Sequence, residues 1–401
     1  DGTVIDATRD LPRMAEQISA LDARDIAGYL HFLAYAAELN RITNPVFIEG
    51  QPPTVKDIFR VPLRDMLKVD AWRTMDAAIR KRIHAPHLRD VLRRYATYVG
   101  ASPYRAPAVL NVIAHTELTS GIWYPQGGVY ELARAYRDLA LDLGVDLQTG
   151  CRVDRILVEN GRVRGVRTAD GAEIRTCAVL SNVDVTTTYH SLLPSGVGER
   201  RWKRLARREP SISGFVLLLG LRGTTPGLVQ HNILFPSDYR REFTDIFSEH
   251  RLPRDPAIYI TISSRVDADH APEGCENWFV LVNTPPIGPM FDWDRDAAVS
   301  AYRDRIVDRI EAMGCKVRGR IQTEARLTPK DLQQRTGAWR GALYGLSSNH
   351  PLNALRRPNP RSPDVRGLYF VGGTTHPGGG VPMVTLSGGV AAGMIQEDLA
   401  G

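Results

Sequence analysis

The sequence predicts an α/β (α+β) protein in which a parallel-sheet domain, split along the chain, is interrupted by a second domain of antiparallel strands and helices. Three observations carry that reading. Near the C-terminus a short apolar run at 368–371, bounded by glycines, enters a glycine-rich turn and then a helix, the pattern of a buried strand in a parallel sheet followed by its helix. Between 145 and 181 lie short β-rich runs joined by Asn160-Gly161 and Asp170-Gly171, the favoured two-residue hairpin turns. From 213 to 327 a second set of strands recurs, with an amphipathic helix among them.

Taken in order, the first ten residues, DGTVIDATRD, read as the edge of a hairpin. Residues 22–40 form a helix with Asp22 as its N-cap, because Ile26, Tyr29, Leu30, Leu33 and Ala37 recur at the helical period. Further helices fill the chain to about 112. Pro125, Gly127 and Gly128 break the pattern, and a second helix spans 129–143 with Gly144 closing it. Strands follow at 145–148, 153–159, 163–168, 172–176 and 178–181, then a helix that begins near Asp184. Such a meander replaces the helical crossover in some nucleotide-binding folds. The second domain supplies strands at 215–221, 232–235, 258–263 and 279–283, a helix over 297–313 and a strand around 320–327. The last helix covers 384–399.

At 401 residues and 43% hydrophobic content, the chain can bury a large core and has the length of two or three domains. Its longest apolar runs, such as 215–221, fall far short of the roughly 18–20 residues that span a bilayer. Cys151, Cys177, Cys275 and Cys315 stand apart, with no C-x-x-C and no ligand-spaced histidine. They read as small buried hydrophobes of a reducing compartment, and no metal site is expected. The net charge of +6 asks for a partner. No helix-turn-helix or single-strand-binding signature accompanies it, so the expected partner is an anionic membrane surface and not nucleic acid. Between 58 and 83, Phe59, Leu63, Met66, Leu67, Trp72, Met75 and Ile79 interleave with Arg60, Arg64, Lys68, Arg73, Arg80, Lys81 and Arg82. That composition suits helices lying in an interface, and equally suits helices packed on a second domain with a solvated basic face.

The stretch GLYFVGGTTHPGGGVPMV, starting at Gly367, carries the chemistry. Gly372 and Gly373 follow the strand, and Pro377, Gly378, Gly379 and Gly380 remove side chains where backbone amides must approach a ligand. Val381, Pro382 and Met383 lead into the helix whose positive end aims at the same place. A phosphate fits such a site, and so does the carbonyl edge of a flavin. Neither G-x-G-x-x-G nor a P-loop sequence occurs in the chain. The first βαβ unit of a dinucleotide-binding fold is therefore expected to precede this sequence, with a mature chain cut after a leader as the other expectation.

With these pieces placed, the chain resembles the phytoene desaturase type of carotenoid desaturases and oxidases, FAD-dependent enzymes of the glutathione-reductase and amine-oxidase superfamily. Four segments carry the resemblance: GIWYPQGG from Gly121, CAVLSNVDVTTTYHSLL from Cys177, APEGCENWFVLVN from Ala271 and LYFVGGTTHPGGGVPMV from Leu368. HPGGGVP is the specific one, whereas the strand-to-SNVD segment suits many flavoproteins. The resemblance implies a Rossmann-like FAD/NAD(P)-binding domain of glutathione-reductase type, discontinuous and N-terminally truncated, with an antiparallel substrate domain. It divides the chain into a domain edge at 1–20, a helical substrate- or membrane-facing region at 21–120, an FAD-binding segment with the meander at 121–195, a substrate domain at 196–345 and a C-terminal FAD-binding segment at 346–401.

The resemblance also implies FAD held by the backbone around Val153 and by Gly372, Gly373, Pro377, Gly378, Gly379, Gly380, Val381, Pro382 and Met383. A long apolar polyene reaches it from the membrane, on a cytoplasmic enzyme bound peripherally. At a hydrocarbon, the protein aligns a C–H bond, excludes water and leaves the redox chemistry to the cofactor, in keeping with the lack of a Ser-His-Asp or paired-carboxylate arrangement. His376 is the expected acid or base beside the turn, or simply its cap. Trp123 and Tyr124 wall the polyene or pack in the core, and Glu117 is a weaker polar candidate near that wall. His231 and His270 receive no role. The implied activity is desaturation of phytoene or a C30 analogue, with terminal oxidation, ketolation or saturation as alternatives on the same fold and a non-catalytic lipid-binding paralogue as the alternative from another class. An amine oxidase with a flavin-linked cysteine is disfavoured, since no cysteine follows Cys315. This stretch of chain alone is expected to hold FAD poorly and to be inactive.

Overall fold

The structure, a computed structural model, describes residues 2–47, 52, 62–66, 68–353 and 356–400. Helix α1 (Leu11–Asp22) starts where the Asp10 carboxylate accepts the Arg13 N–H at 3.1 Å and a proline occupies the first turn. Residues 2–9 are therefore not a hairpin edge. They run as irregular chain tied to α1 by Gln17, whose Oε1 accepts the Asp6 N–H at 2.7 Å and whose Nε2 donates to the Asp6 carbonyl at 2.8 Å. The N-cap expected at Asp22 is corrected too: Asp22 ends α1, its carboxylate turns to Arg24, and α2 (Asp25–Phe47) begins beyond it.

Asp25 is wholly buried, and its carboxylate accepts the N–H groups of His84 at 2.7 Å and Ala85 at 2.6 Å. It thereby ties α2 to the link between α3 (Met75–Arg80) and α4 (Pro86–Arg93). Met14, Ile18, Phe32, Met75, Ile79 and Leu88 form the core of this helical region. Met75 and Ile79 are thus core residues, which removes them from the interfacial reading of 58–83, whereas Trp72 is 88% exposed. Phe59, Arg60 and the side chains of Leu63 and Leu67 lie outside the described residues.

Gly127 and Gly128 adopt φ of +80° and +96° ahead of α5 (Tyr130–Asp142), and Gly144 closes that helix at φ +80°. The strand expected at 145–148 does not form. Those residues are irregular and exposed, and among the described residues no strand pairs with them. The meander does form, as β1 (Val153–Glu159), β2 (Arg162–Thr168) and β3 (Glu173–Arg175) in that order. Asn160 and Gly161, at φ +50° and +72°, make its first turn. The chain then enters β4 (Val179–Ser181).

The second domain is a five-stranded sheet built from β5 (Ser213–Arg222), β6 (His231–Leu234), β7 (Ile258–Thr261), β8 (Cys275–Thr284) and β9 (Ile321–Leu327), in the order β6-β7-β8-β5-β9. Every pairing in it is antiparallel. Helix α6 (Tyr239–Phe247) follows β6, and α7 (Asp296–Ala312) lies between β8 and β9 in the chain. Phe215, Leu217, Leu219 and Leu221 alternate along β5 and bury together with Trp278, Val280 and Val282 of β8 and Tyr302, Ile306 and Ile310 of α7.

The chain finally returns to β10 (Leu368–Phe370), which pairs parallel with β4, Leu368 opposite Val179 and Phe370 opposite Ser181. Helix α8 (Val381–Ala400) follows. The split parallel pair read from 178–181 and 368–371 is thereby observed. Among the described residues no helix is long and apolar enough to cross a membrane. The cysteines depart from expectation: Cys151 and Cys177 are exposed, and Cys275 and Cys315 are half-buried.

Candidate active site

The turn between β10 and α8 is fastened at both ends. The Val371 N–H donates to the Ser181 carbonyl at 3.0 Å, extending the strand pair by a rung. The Gly372 N–H donates to Oγ of Ser387 at 2.9 Å, a buried residue about two turns into α8. Thr374 Oγ1 accepts the Val185 N–H at 3.2 Å, which joins the turn to the helical segment capped by Asp184. Burial pushes the Asp184 carboxyl up, against the amides of Thr186 and Thr187 that its oxygens accept.

Each glycine here has its own reason. At Gly372, with φ +99°, a Cβ would meet Asn182 Oδ1 at 2.3 Å. At Gly379 it would meet Tyr344 Cδ1 at 2.6 Å, and the other side of that ring rests on Gly100, where a Cβ would lie 2.6 Å from Cδ2. Gly378, at φ +139°, faces the Arg357 guanidinium, whose Nη1 donates to the Gly373 carbonyl at 2.9 Å. Burial lowers the Arg357 pKa to about 10. The close approach that the sequence suggested for a ligand is met at Gly372 and Gly379 by protein neighbours instead. At Gly380, with φ +112°, a Cβ would meet nothing within 4 Å, so the turn opens there.

That opening coincides with the start of a 20-residue helix. Its first intrahelical bond runs from the Val384 N–H to the Gly380 carbonyl at 2.9 Å. The amides of Val381 and Met383 therefore lie outside the helical ladder, and Pro382 has none. No acidic residue occupies the first turn to quench the positive end. A side-chain-free opening lined by partially positive amides fits the electron-rich carbonyl edge of a flavin.

His376 is buried in the turn, where its N–H donates to the Pro358 carbonyl at 3.1 Å and Thr375 Oγ1 donates to the same oxygen at 2.8 Å. Pro377 follows it directly. Val153 opens β1 opposite Thr168, on the meander. Trp123 is 91% exposed and is not core packing. Tyr124 lies against His270, its hydroxyl 3.5 Å from Nδ1, and the Gly127 N–H donates to Asp267 at 2.8 Å. The 121–128 segment thus docks on the turn before β8. Among the described residues no hydrogen bond or ring contact joins Trp123 or Tyr124 to 372–383. Glu117 accepts from the Tyr95 hydroxyl at 3.0 Å, and His231 Nδ1 meets the Tyr259 hydroxyl at 2.8 Å. Sequence reasoning missed Tyr344, Arg357 and Asn182, because each acquires its place only when segments remote in the chain meet.

Fold and turn together define an FAD-dependent oxidoreductase. The chain belongs to the flavin-containing amine oxidoreductase family, whose sequence model matches residues 7–395. It is 37% identical over 392 residues to a 4,4'-diaponeurosporene oxygenase of Staphylococcus aureus, spanning 97% of this chain and 78% of that protein. It is 35% identical over 405 residues to a 4,4'-diapolycopene oxygenase of Methylomonas, spanning 100% of this chain and 80% of that protein. Among solved structures, cyclohexylamine oxidase of Brevibacterium oxydans shares the fold, with a TM-score of 0.51 and 13% identity over 93% of this chain and 76% of that one. The Rossmann-like fold and the FAD cofactor expected from the resemblance both hold.

Proposed function

We propose that this protein oxidises the end of a long apolar polyene of the C30 class, turning a terminal methyl into an aldehyde with molecular oxygen as oxidant. The balance is one methyl and one O2 giving one aldehyde and one water. The observation that carries the reading is 37% identity over 97% of the chain to a 4,4'-diaponeurosporene oxygenase. Bound FAD supplies the acceptance of hydride from a C–H bond. The chain's own part is to hold and orient. The Val381 and Met383 amides receive the cofactor's electron-rich edge, Gly380 leaves it room, and Arg357 braces the turn through Gly373. His376, buried in the turn, holds or moves a proton on the cofactor side, and the exposed Trp123 and Tyr124 form the apolar path along which the polyene arrives. The positive charge of +6 and the exposed Trp72 support a working surface that faces an anionic membrane.

The test is turnover by the full, flavin-loaded protein given 4,4'-diaponeurosporene or phytoene in anionic vesicles, with products read by mass spectrometry and oxygen uptake. The expected product gains one oxygen and loses two hydrogens at a methyl end, with matching oxygen consumption. Phytoene that loses hydrogen without gaining oxygen replaces this reading with desaturation, and no turnover of either substrate overturns both.

A further inference from the structure

Arg94 follows α4 directly and opens a 3-10 segment, Arg94–Val99. Only 6% of it is exposed, and among the described residues neither Nε nor Nη1 has an acceptor. Its neighbour in the chain shows what a paired arginine looks like here: Arg93 is bound to Asp76 and, at 2.8 Å, to Asp90. The carboxylate facing Arg94 is Glu242 on α6, whose oxygens are taken by the Ala257 N–H at 2.8 Å and Asn283 Nδ2 at 2.9 Å. The Tyr239 hydroxyl is buried beside Arg94 and leans on it, but the contact falls short of a well-formed hydrogen bond. A guanidinium out of water with unused donors is a destabilising arrangement unless an acceptor arrives. Two such groups converge at one place.

That place adjoins the site. Tyr344, whose ring is held against Gly379 of the turn, is within electrostatic reach of Arg94. On the other side Tyr98, also within reach, is 41% exposed, so the cluster meets the surface there. The walls are phenol rings, apolar over their faces and suited to a conjugated chain. We propose that Arg94 and Tyr239 form the end-group pocket of the substrate site, and that the polyenes it recognises carry a carbonyl or carboxylate oxygen at the terminus. This rests on the polyene-oxidising function proposed above and adds the end group that is bound.

The test uses the full, flavin-loaded protein and a titration followed by the polyene absorption shift. The probes are an apocarotenoid carboxylate, the hydrocarbon-ended polyene of the same length, and a saturated fatty acid as competitor. Arg94→Met is expected to weaken the carboxylate by roughly ten- to a hundredfold, the range of a charge-assisted hydrogen bond, while the hydrocarbon binds as before. Arg94→Lys should recover part of the loss. Without ligand, the thermal midpoint of Arg94→Met should stay level or rise, whereas that of Arg93→Met should fall, because Arg93 has ion pairs to Asp76 and Asp90 to lose and Arg94, among the described residues, has none. Equal loss for both polyenes, a midpoint that falls as far as that of Arg93→Met, or full competition by the fatty acid each overturns the assignment. Turnover of a methyl-ended polyene that persists while the carboxylate binds no better to wild type than to Arg94→Met defeats this inference alone and leaves the oxidase reading standing.

Discussion

Glu242 owes its acid–base behaviour to its place under β8. Two hydrogen bonds, from the Ala257 N–H and Asn283 Nδ2, favour its charged form, yet desolvation outweighs them and raises its pKa from 4.5 to about 7. The folded protein therefore keeps a proton that the unfolded chain releases near 4.5. The stability this group contributes is complete below 4.5 and is lost as pH rises through about 7. Glu242→Gln, which cannot ionise, should flatten the fall in thermal midpoint over that interval and leave the variant the more stable protein at about pH 8. If the two slopes coincide, Glu242 is ionised in the fold throughout. None of this is visible from the sequence, where Glu242 falls in the unassigned stretch between the strands read at 232–235 and 258–263.

Elements were legible where their signals are local. The Asn160-Gly161 hairpin needed only its own turn, and β5 and β8 only their apolar runs. Helix α1 had its signal as well, Asp10 followed by Pro12, but the apolar repeat beyond Asp22 outweighed it. The 145–148 run reads as a strand and is not one, since alternation makes a strand only when a neighbour offers its backbone. Asp25 makes the point for helices. It opens α2, yet its carboxylate is spent on amides some 60 residues away in the chain. Asp25→Ala would leave the half-buried amide of His84 and the buried amide of Ala85 without acceptors, at about 1–3 kcal/mol for each such group. Denaturant unfolding should show a loss of about 3 kcal/mol with the flavin spectrum of the loaded protein unchanged. A loss under about 0.5 kcal/mol, the range of ordinary surface substitutions, would mean that those amides find other partners.

Across the whole molecule, strand order and the meeting of remote segments were beyond the sequence, because the order β6-β7-β8-β5-β9 depends on which strands pair and not on what any strand contains. That order sets the distribution of stability. β5 and β8 are interior strands packed against α7, whereas β4 and the buried β10 form only a two-stranded sheet and α5 has no buried residue. Hydrogen exchange should leave the amides of β5 and β8 protected longest and those of β4, β10 and α5 exchanging much sooner. A uniform exchange rate across the two sheets would show that they open as one unit.

The ring of Tyr344, gripped between Gly100 and Gly379, also constrains descent. A side chain gained at either glycine first would overlap the ring, and a ring lost first would leave a void of about 3–5 kcal/mol. The three positions are therefore epistatic. A lineage can alter this joint between the helical region and the C-terminal turn only by changing its members together, so homologues should carry either all three residues or none of them.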